Sequence, residues 1–321
     1  MVVKTNNKFY HLLRALRPRQ WIKNGLLFAP LIFGGYLLNY DYFMQTFYAF
    51  LYFCGIASAI YLLNDIWDVE KDRLHPIKKN RPIASGALPI SWAAVVSSLL
   101  VVILVPASFI YIGKYFGVIV SIYIIIQIAY NLKLKEVIIL DALTIAFGFI
   151  LRVFAGALAI PLSISSWLIL AITGTSLLLA FGKRRAERTL LKARGLDNES
   201  TRAILKHYPD SLLDSMISTS ASFAIITYSL FTFQTSSQSV TAGLIESLLP
   251  STLTSAKYLM LTIPIVIYAV ARYLYVIYEK GEGESPERII LKDKPLLYTS
   301  LVWLLLIIVI QTDFSSFYLG E

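Results

Sequence analysis

The sequence holds one cysteine, Cys54, and three histidines in 321 residues. A lone cysteine cannot close an internal disulfide, so no disulfide framework supports the fold. His11, His75 and His207 form neither an HExxH pattern nor a His/Cys ligand set, which leaves zinc chemistry without support. Charge is also scarce: 15% of residues are charged and 57% are hydrophobic, with a mean hydropathy of +0.66. A soluble chain of this length could not bury so much apolar surface, so the composition is that of a polytopic membrane protein. The first residues, "MVVKTNNKFYHLLRALRPRQW", are too polar for the core of a secretory signal, and no cleaved leader is expected.

What the sequence does have is long apolar runs. Runs of roughly 17–23 residues suit a bilayer crossing. They give nine expected spans, near 20–38, 44–64, 90–111, 114–131, 137–160, 164–182, 214–234, 258–278 and 295–312. The expected fold class is therefore all-α: one membrane domain over 1–321, with no separate soluble domain. The run at 20–38 is the least regular, since it starts with polar residues and contains Pro30 and two glycines.

The net charge of +9 follows the connections. Basic residues crowd the segment before the first span, the loop carrying Lys71 to Arg81, the short link at Lys133 and Lys135, the stretch after Lys183, and the approach to the last span. The opposite connections offer only Lys114 and Lys257. By the positive-inside rule, the N-terminus is expected in the cytoplasm and the C-terminus outside the cell membrane. The positive charge is thus a topology signal that needs no nucleic-acid partner. Two cytoplasmic loops, about 65–89 and 183–213, are long and charged, and are expected to cap a site.

The second span ends in "NDIWDVEKD". On a helix advancing about 100° per residue, Asn64, Asp65, Asp68 and Asp72 point near 0°, 100°, 40° and 80°, while Glu70 falls near 240°. Three carboxylates and an amide oxygen on one arc repel each other unless a cation intervenes. Hard oxygen ligands suit Mg²⁺, which usually bridges to substrate phosphates. The plainer reading is a solvated acidic helix end, but the helix macrodipole disfavours acids at a C-terminus. "HPIKKNRPIASG" follows. Arg81 beside its Pro and near Gly86 is a candidate phosphate contact, whereas Lys78 and Lys79 serve equally well as topology charges.

"AYNLKLKEVIILD" places Tyr130, Lys135 and Asp141 at the cytoplasmic mouth. Arg152 lies three turns beyond Asp141 on the same stripe, about 16 Å deeper. An ionisable residue at that depth is a functional candidate, with a buried Arg–Asp structural pair as the alternative. Lys183 and Arg184 follow directly on an apolar run in "AFGKRRAE", ahead of Glu187. Arg272 lies within reach of the cytoplasmic end, where snorkelling accounts for it.

Together these residues resemble the UbiA superfamily of intramembrane prenyltransferases. The resemblance rests on nine expected helices, NDxxDxxxD after the second, "RPIASG", and the "YNLKLK…D…R" series. It implies helices around a central cavity, Mg²⁺ held with a diphosphate by Asn64, Asp65, Asp68 and Asp72, and a lateral opening for a lipid. Members that prenylate aromatic rings usually carry a second Asp-rich motif where this chain reads "GKRRAE". That departure, with "LRPRQWIKN", is similar to the branch of decaprenyl-phosphate phosphoribosyltransferases, which join 5-phosphoribosyl 1-diphosphate to a polyprenyl phosphate for cell-wall assembly.

The resemblance then implies that Lys135, Arg152, Lys183 and Arg184 neutralise phosphate charge. Lys23 and Asn24, with Arg17 or Arg19, would steer the lipid phosphate. Asp141 would orient a ribose hydroxyl or a basic neighbour. Two other functions compete. A UbiA-type prenyltransferase would move a prenyl group from its diphosphate to an aromatic or polyol acceptor. A transporter would use Asp65 and Asp68 as cation ligands, but its site is expected at mid-membrane between internal repeats, and no repeat is visible here.

Overall fold

Asn39 opens the first long helix: its Oδ1 accepts from the Tyr42 backbone N–H at 3.0 Å, filling one of the donors a helix start leaves open. The computed structural model describes residues 8–74, 78–193, 207–235, 257–279 and 286–311. Their helices are α1 (Lys8–Ala15), α2 (Ala29–Phe33), α3 (Tyr40–Trp67), α4 (Val69–Leu74), α5 (Ile90–Ala107), α6 (Lys114–Leu132), α7 (Leu140–Ala159), α8 (Ser166–Ala193), α9 (Asp210–Gln234), α10 (Ile263–Tyr278), α11 (Pro286–Lys292) and α12 (Lys294–Gln311). Among the described residues there is no strand.

Eight helical segments among the described residues are long and apolar enough to cross a bilayer: α3, α5 with its continuation to Ile112, α6, α7, α8, α9, Tyr258–Tyr278 and α12. The chain is a multi-pass membrane protein. The expected first span folds otherwise. Pro18–Phe28 is a 3₁₀ run, α2 lasts five residues, and Gly35 turns the chain with a φ of 79°. Pro18 and Pro30 lack N–H donors, so one regular ladder cannot run through the segment. It is nonetheless buried, with Leu27 and Leu31 at 0% exposure, and a count of nine apolar segments remains compatible with the fold.

Gly156 of α7 brings that segment close. A Cβ there would overlap the Leu27 carbonyl, so only glycine lets the two backbones touch. Ser58 of α3 fastens the other side, accepting from Trp21 Nε1 at 3.0 Å and donating to the Leu16 carbonyl at 2.9 Å. Small residues also set the most extensive helix pair, α8 on α9, where Gly174 lies against the Ala224 backbone.

The spans alternate in direction. As a result, the C-terminal ends of α3, α6, α8 and α10 and the N-terminal ends of α5, α7, α9 and α12 share one end of the bundle. The two charged loops begin later than their composition suggests. Residues 65–67 still belong to α3, and residues 183–193 still belong to α8. The rest of the second loop, 194–206, lies outside the described residues.

Candidate active site

α3 stops at Asp68, whose φ of −92° and ψ of 6° leave the helical region, and α4 restarts at Val69. The unbroken helix assumed for the arc therefore ends one turn before Asp72. A bend replaces it, and the Asp72 N–H bonds the Asp68 carbonyl at 2.7 Å. Asp65 and Asp72 still turn inward, at 2% and 3% exposure. Glu70 faces water as its angle indicates, pairing with Arg73 at 3.1 Å.

Each inward carboxylate is met by a cation. Arg17 pairs with Asp65. Arg81 spans two acids, reaching Asp65 at 3.0 Å and Asp72 at 2.5 Å. Lys135 donates to Asp68 at 2.6 Å. Arg17 reaches its partner from an unusual backbone: its φ of 55° places it in the left-handed region, between the end of α1 and Pro18. That conformation costs a non-glycine residue about 1–3 kcal/mol. The Arg17 guanidinium also lies 5.1 Å from the Tyr61 ring centroid. Arg17 entered the sequence reading only as one of two steering candidates, because its partner lies far along the chain.

The donor set suits a divalent cation. Asp65 Oδ2 is buried and makes no hydrogen bond among the described residues, a costly state for a carboxylate oxygen that a bound cation would relieve. Among the described residues no three acidic side chains stand grouped as a ready metal cage, since arginine and lysine lie between them. Asn64 sits half-buried on the last turn of α3.

A second level lies deeper. Arg152 of α7 is 5% exposed, yet its partners are neutral. Nε donates to Asn24 Oδ1 at 2.9 Å, one Nη to the Gly148 carbonyl at 2.5 Å, and the other to the Tyr123 hydroxyl at 3.0 Å. Phe53, Tyr123 and Phe149 present ring faces within 5.6 Å of the guanidinium carbon. Asn24 is itself 1% exposed and donates to Cys54 Sγ at 3.2 Å. The Arg–Asp pair considered from spacing does not form: Asp141, on the same stripe, turns elsewhere. Lys23 is half-buried beside Asn24.

Asp141 holds Arg184 at 2.5 Å, both at 0% exposure. Arg184 also pairs with Glu187 at 2.5 Å and donates to the Tyr130 hydroxyl at 3.2 Å. Four sequence candidates thus divide into two sets. Tyr130, Asp141 and Arg184 form one closed knot, while Lys183, half-buried, lies 4.0 Å from Glu187. Arg184 is sealed from solvent in this arrangement and links α8 to α7 through Asp141.

Tyr208 completes the knot and gave no sequence signal. It donates to Asp141 and accepts the Ile139 N–H at 2.7 Å. Burial, and then the Asp141 carboxylate, push the Tyr208 phenol above its ordinary range. Arg272 makes a two-point pair with Asp293, 2.9 Å on each arm, a partner its position near the cytoplasmic end did not indicate.

Comparison with known proteins follows the same lines. Residues 27–183 match the UbiA prenyltransferase family profile. Decaprenyl-phosphate phosphoribosyltransferase of Mycolicibacterium smegmatis is 35% identical over 297 residues, covering 91% of this chain and 90% of that protein. The Corynebacterium glutamicum protein of that name is 34% identical, covering 92% and 85%. A UbiA homologue from Archaeoglobus fulgidus, solved with GPP and Mg²⁺, superposes with a TM-score of 0.63 at 18% identity, covering 94% of this chain and 99% of that one.

Proposed function

This chain belongs to the UbiA prenyltransferase family, and we propose that it transfers a 5-phosphoribosyl group from 5-phosphoribosyl 1-diphosphate to a polyprenyl phosphate. The observation that carries the reading is identity above 30%, along nine-tenths of both chains, to an enzyme named for transfer to decaprenyl phosphate. The chain is a membrane transferase, and the cation-rich site supports two phosphorylated substrates.

Asn64, Asp65, Asp68 and Asp72 are the residues that would hold Mg²⁺, the ion bound in the Archaeoglobus relative. When bound, it supplies positive charge to the departing diphosphate. The remaining chemistry is electrostatic. Arg17, Arg81 and Lys135 lie against carboxylates, within reach of whatever those carboxylates bind. An incoming diphosphate would give these cations a stronger partner, and turning to its oxygens would free the carboxylates to hold the ion. The C1–oxygen bond of the ribose breaks and the diphosphate leaves with its electron pair. An oxygen of the lipid phosphate then forms the new bond to C1. That oxygen is already anionic, so no strong base is required. Stabilising charge on the leaving group is the main contribution of such a site.

Arg152, Lys23 and Asn24 supply a deeper anion contact for the second phosphate. A guanidinium held only by neutral acceptors and ring faces yields readily to an anion. Tyr130, Asp141, Lys183 and Arg184 line or brace the mouth. The charged end faces the cytoplasm, with the N-terminus inside and the C-terminus outside, on the strength of the basic loops. The charged connections that follow α3 and α8 would cap the site.

The experiment is direct. Purified protein in detergent is given labelled 5-phosphoribosyl 1-diphosphate with a polyprenyl phosphate, and separately a labelled prenyl diphosphate with aromatic acceptors. Label entering the lipid from the first mixture, dependent on Mg²⁺, supports the reading. Transfer only in the second mixture refutes it.

A further inference from the structure

The connection between Lys135 and Asp141 contains the most strained residue of the site. Ile139 has a φ of 70° and a ψ of −47°, and the Leu140 N–H reaches back to the Ile138 carbonyl at 2.8 Å. This is a γ-turn of the positive-φ kind, rare for any side chain and an outlier for a β-branched one. Such a backbone persists only where its surroundings over-determine it. The Ile139 carbonyl accepts from the first turn of α7, at Ala142 and Leu143, and the side chain that holds its N–H is one phenol. The Ile139 N–H donates to Tyr208 Oη at 2.7 Å, and the same hydroxyl donates to Asp141 two residues on. Tyr208 is fully buried, and Arg188 of α8 holds its backbone carbonyl.

We propose that Tyr208 is a positioning residue for the transfer reaction: it clamps the turn at Ile139 and so fixes where Lys135 and Asp141 stand. The two flanks of the turn carry the argument. On one side the 3₁₀ turn Leu134–Glu136 presents Lys135 to Asp68 at 2.6 Å. On the other side Asp141 anchors Arg184 at 2.5 Å. A relaxed turn would change the length and direction of the link between those ion pairs. Lys135, on the longer and less buried flank, would lose its aim. Tyr208 touches no substrate: it acts on Lys135 through the backbone of the turn, and on Asp141 through the turn and their direct hydrogen bond. It also ties the segment leading into α9 to the acidic cluster on α3. This inference rests on the phosphoribosyl reading for its reaction but not for its geometry.

The test uses Tyr208→Phe, Ile139→Gly and the double variant, purified in detergent. Turnover is measured against donor concentration, and backbone amide exchange is followed at residues 137–142. Tyr208→Phe is expected to lower kcat/KM for the donor roughly tenfold, because small displacements of a phosphate contact carry large rate costs. Exchange over 137–142 should accelerate. Glycine adopts positive φ unaided, so adding Ile139→Gly to Tyr208→Phe should restore most of the lost kcat/KM. A Tyr208→Phe variant with wild-type kinetics overturns the proposal. So does a double variant as impaired as the single one, in folding or in turnover. If the wild-type protein uses a prenyl diphosphate instead, the functional reading fails, and the same three-variant comparison on that donor still decides the clamp.

Discussion

Arg152 Nε donates to Asn24 Oδ1 across 128 positions of sequence, and no acidic side chain among the described residues completes the pair. A buried charge with only neutral partners carries a desolvation cost that the proposed anion contact would offset. Arg152→Gln keeps a hydrogen-bonding side chain but removes the charge. It is expected to fold and to lower kcat/KM by roughly 10²–10³-fold, the size of losing one preorganised donor to transition-state charge. Thermal unfolding and initial rates in detergent check this. A variant that folds and turns over normally would remove Arg152 from the phosphate machinery.

Asp68 and Lys135 make a different test, because their contact is partly solvated: Lys135 is 10% and Asp68 17% exposed. Asp68→Asn preserves size and can still accept from Lys135, while lowering the charge available to a divalent cation. Little change in stability is expected, with a steep rise in the Mg²⁺ concentration needed for half-maximal rate. Glu70→Ala is the control. Its side chain is 80% exposed, and rates should stay within about twofold, as for exposed surface substitutions generally. An equal effect of the two substitutions on the Mg²⁺ requirement would place the metal elsewhere.

How much of this was legible depends on the range over which each signal acts. Apolar runs of bilayer length mark spans such as 114–131, found as Lys114–Leu132, because burial in lipid is a property of a contiguous segment. The break at Asp68 was not legible. The arc placing Asp72 beside Asp65 assumed an unbroken helix, yet both side chains still turn inward through the bend at Asp68. Partners were least legible. Arg184 reads as a phosphate contact from its charge, and Arg272 as a snorkelling residue from its depth. Asp141, from α7, and Asp293, from the link between α11 and α12, hold them, and sequence spacing does not bring either near. Tyr208 carried no motif, since its value lies in a hydroxyl aimed at a turn far along the chain.

Arg81 spans Asp65 and Asp72 from a single guanidinium nitrogen, Nη1, at 3.0 and 2.5 Å, which leaves its other N–H groups for a phosphate. Arg81→Lys retains the charge but not those additional donors. It should raise KM for the diphosphate donor several-fold and leave KM for the lipid phosphate nearly unchanged, measured by varying each substrate at saturation of the other. Equal effects on both would mean that Arg81 serves the acceptor as well.

Asp141 and Arg184 offer the sharpest stability measurement, because both side chains are fully buried. Removing one member strands a charge, at about 3–5 kcal/mol, whereas removing both costs much less than the sum. Asp141→Asn and Arg184→Met should each lower the unfolding temperature strongly, and the double variant should recover a good part of it. Glu187 complicates one arm, since it also pairs with Arg184 at 2.5 Å. Arg184→Met therefore strands two carboxylates and should be the more damaging single change. A double variant whose loss equals the sum of the two would show that the contact contributes nothing as a pair. Arg184 would then have to be reconsidered as a group that leaves the knot to meet substrate phosphate.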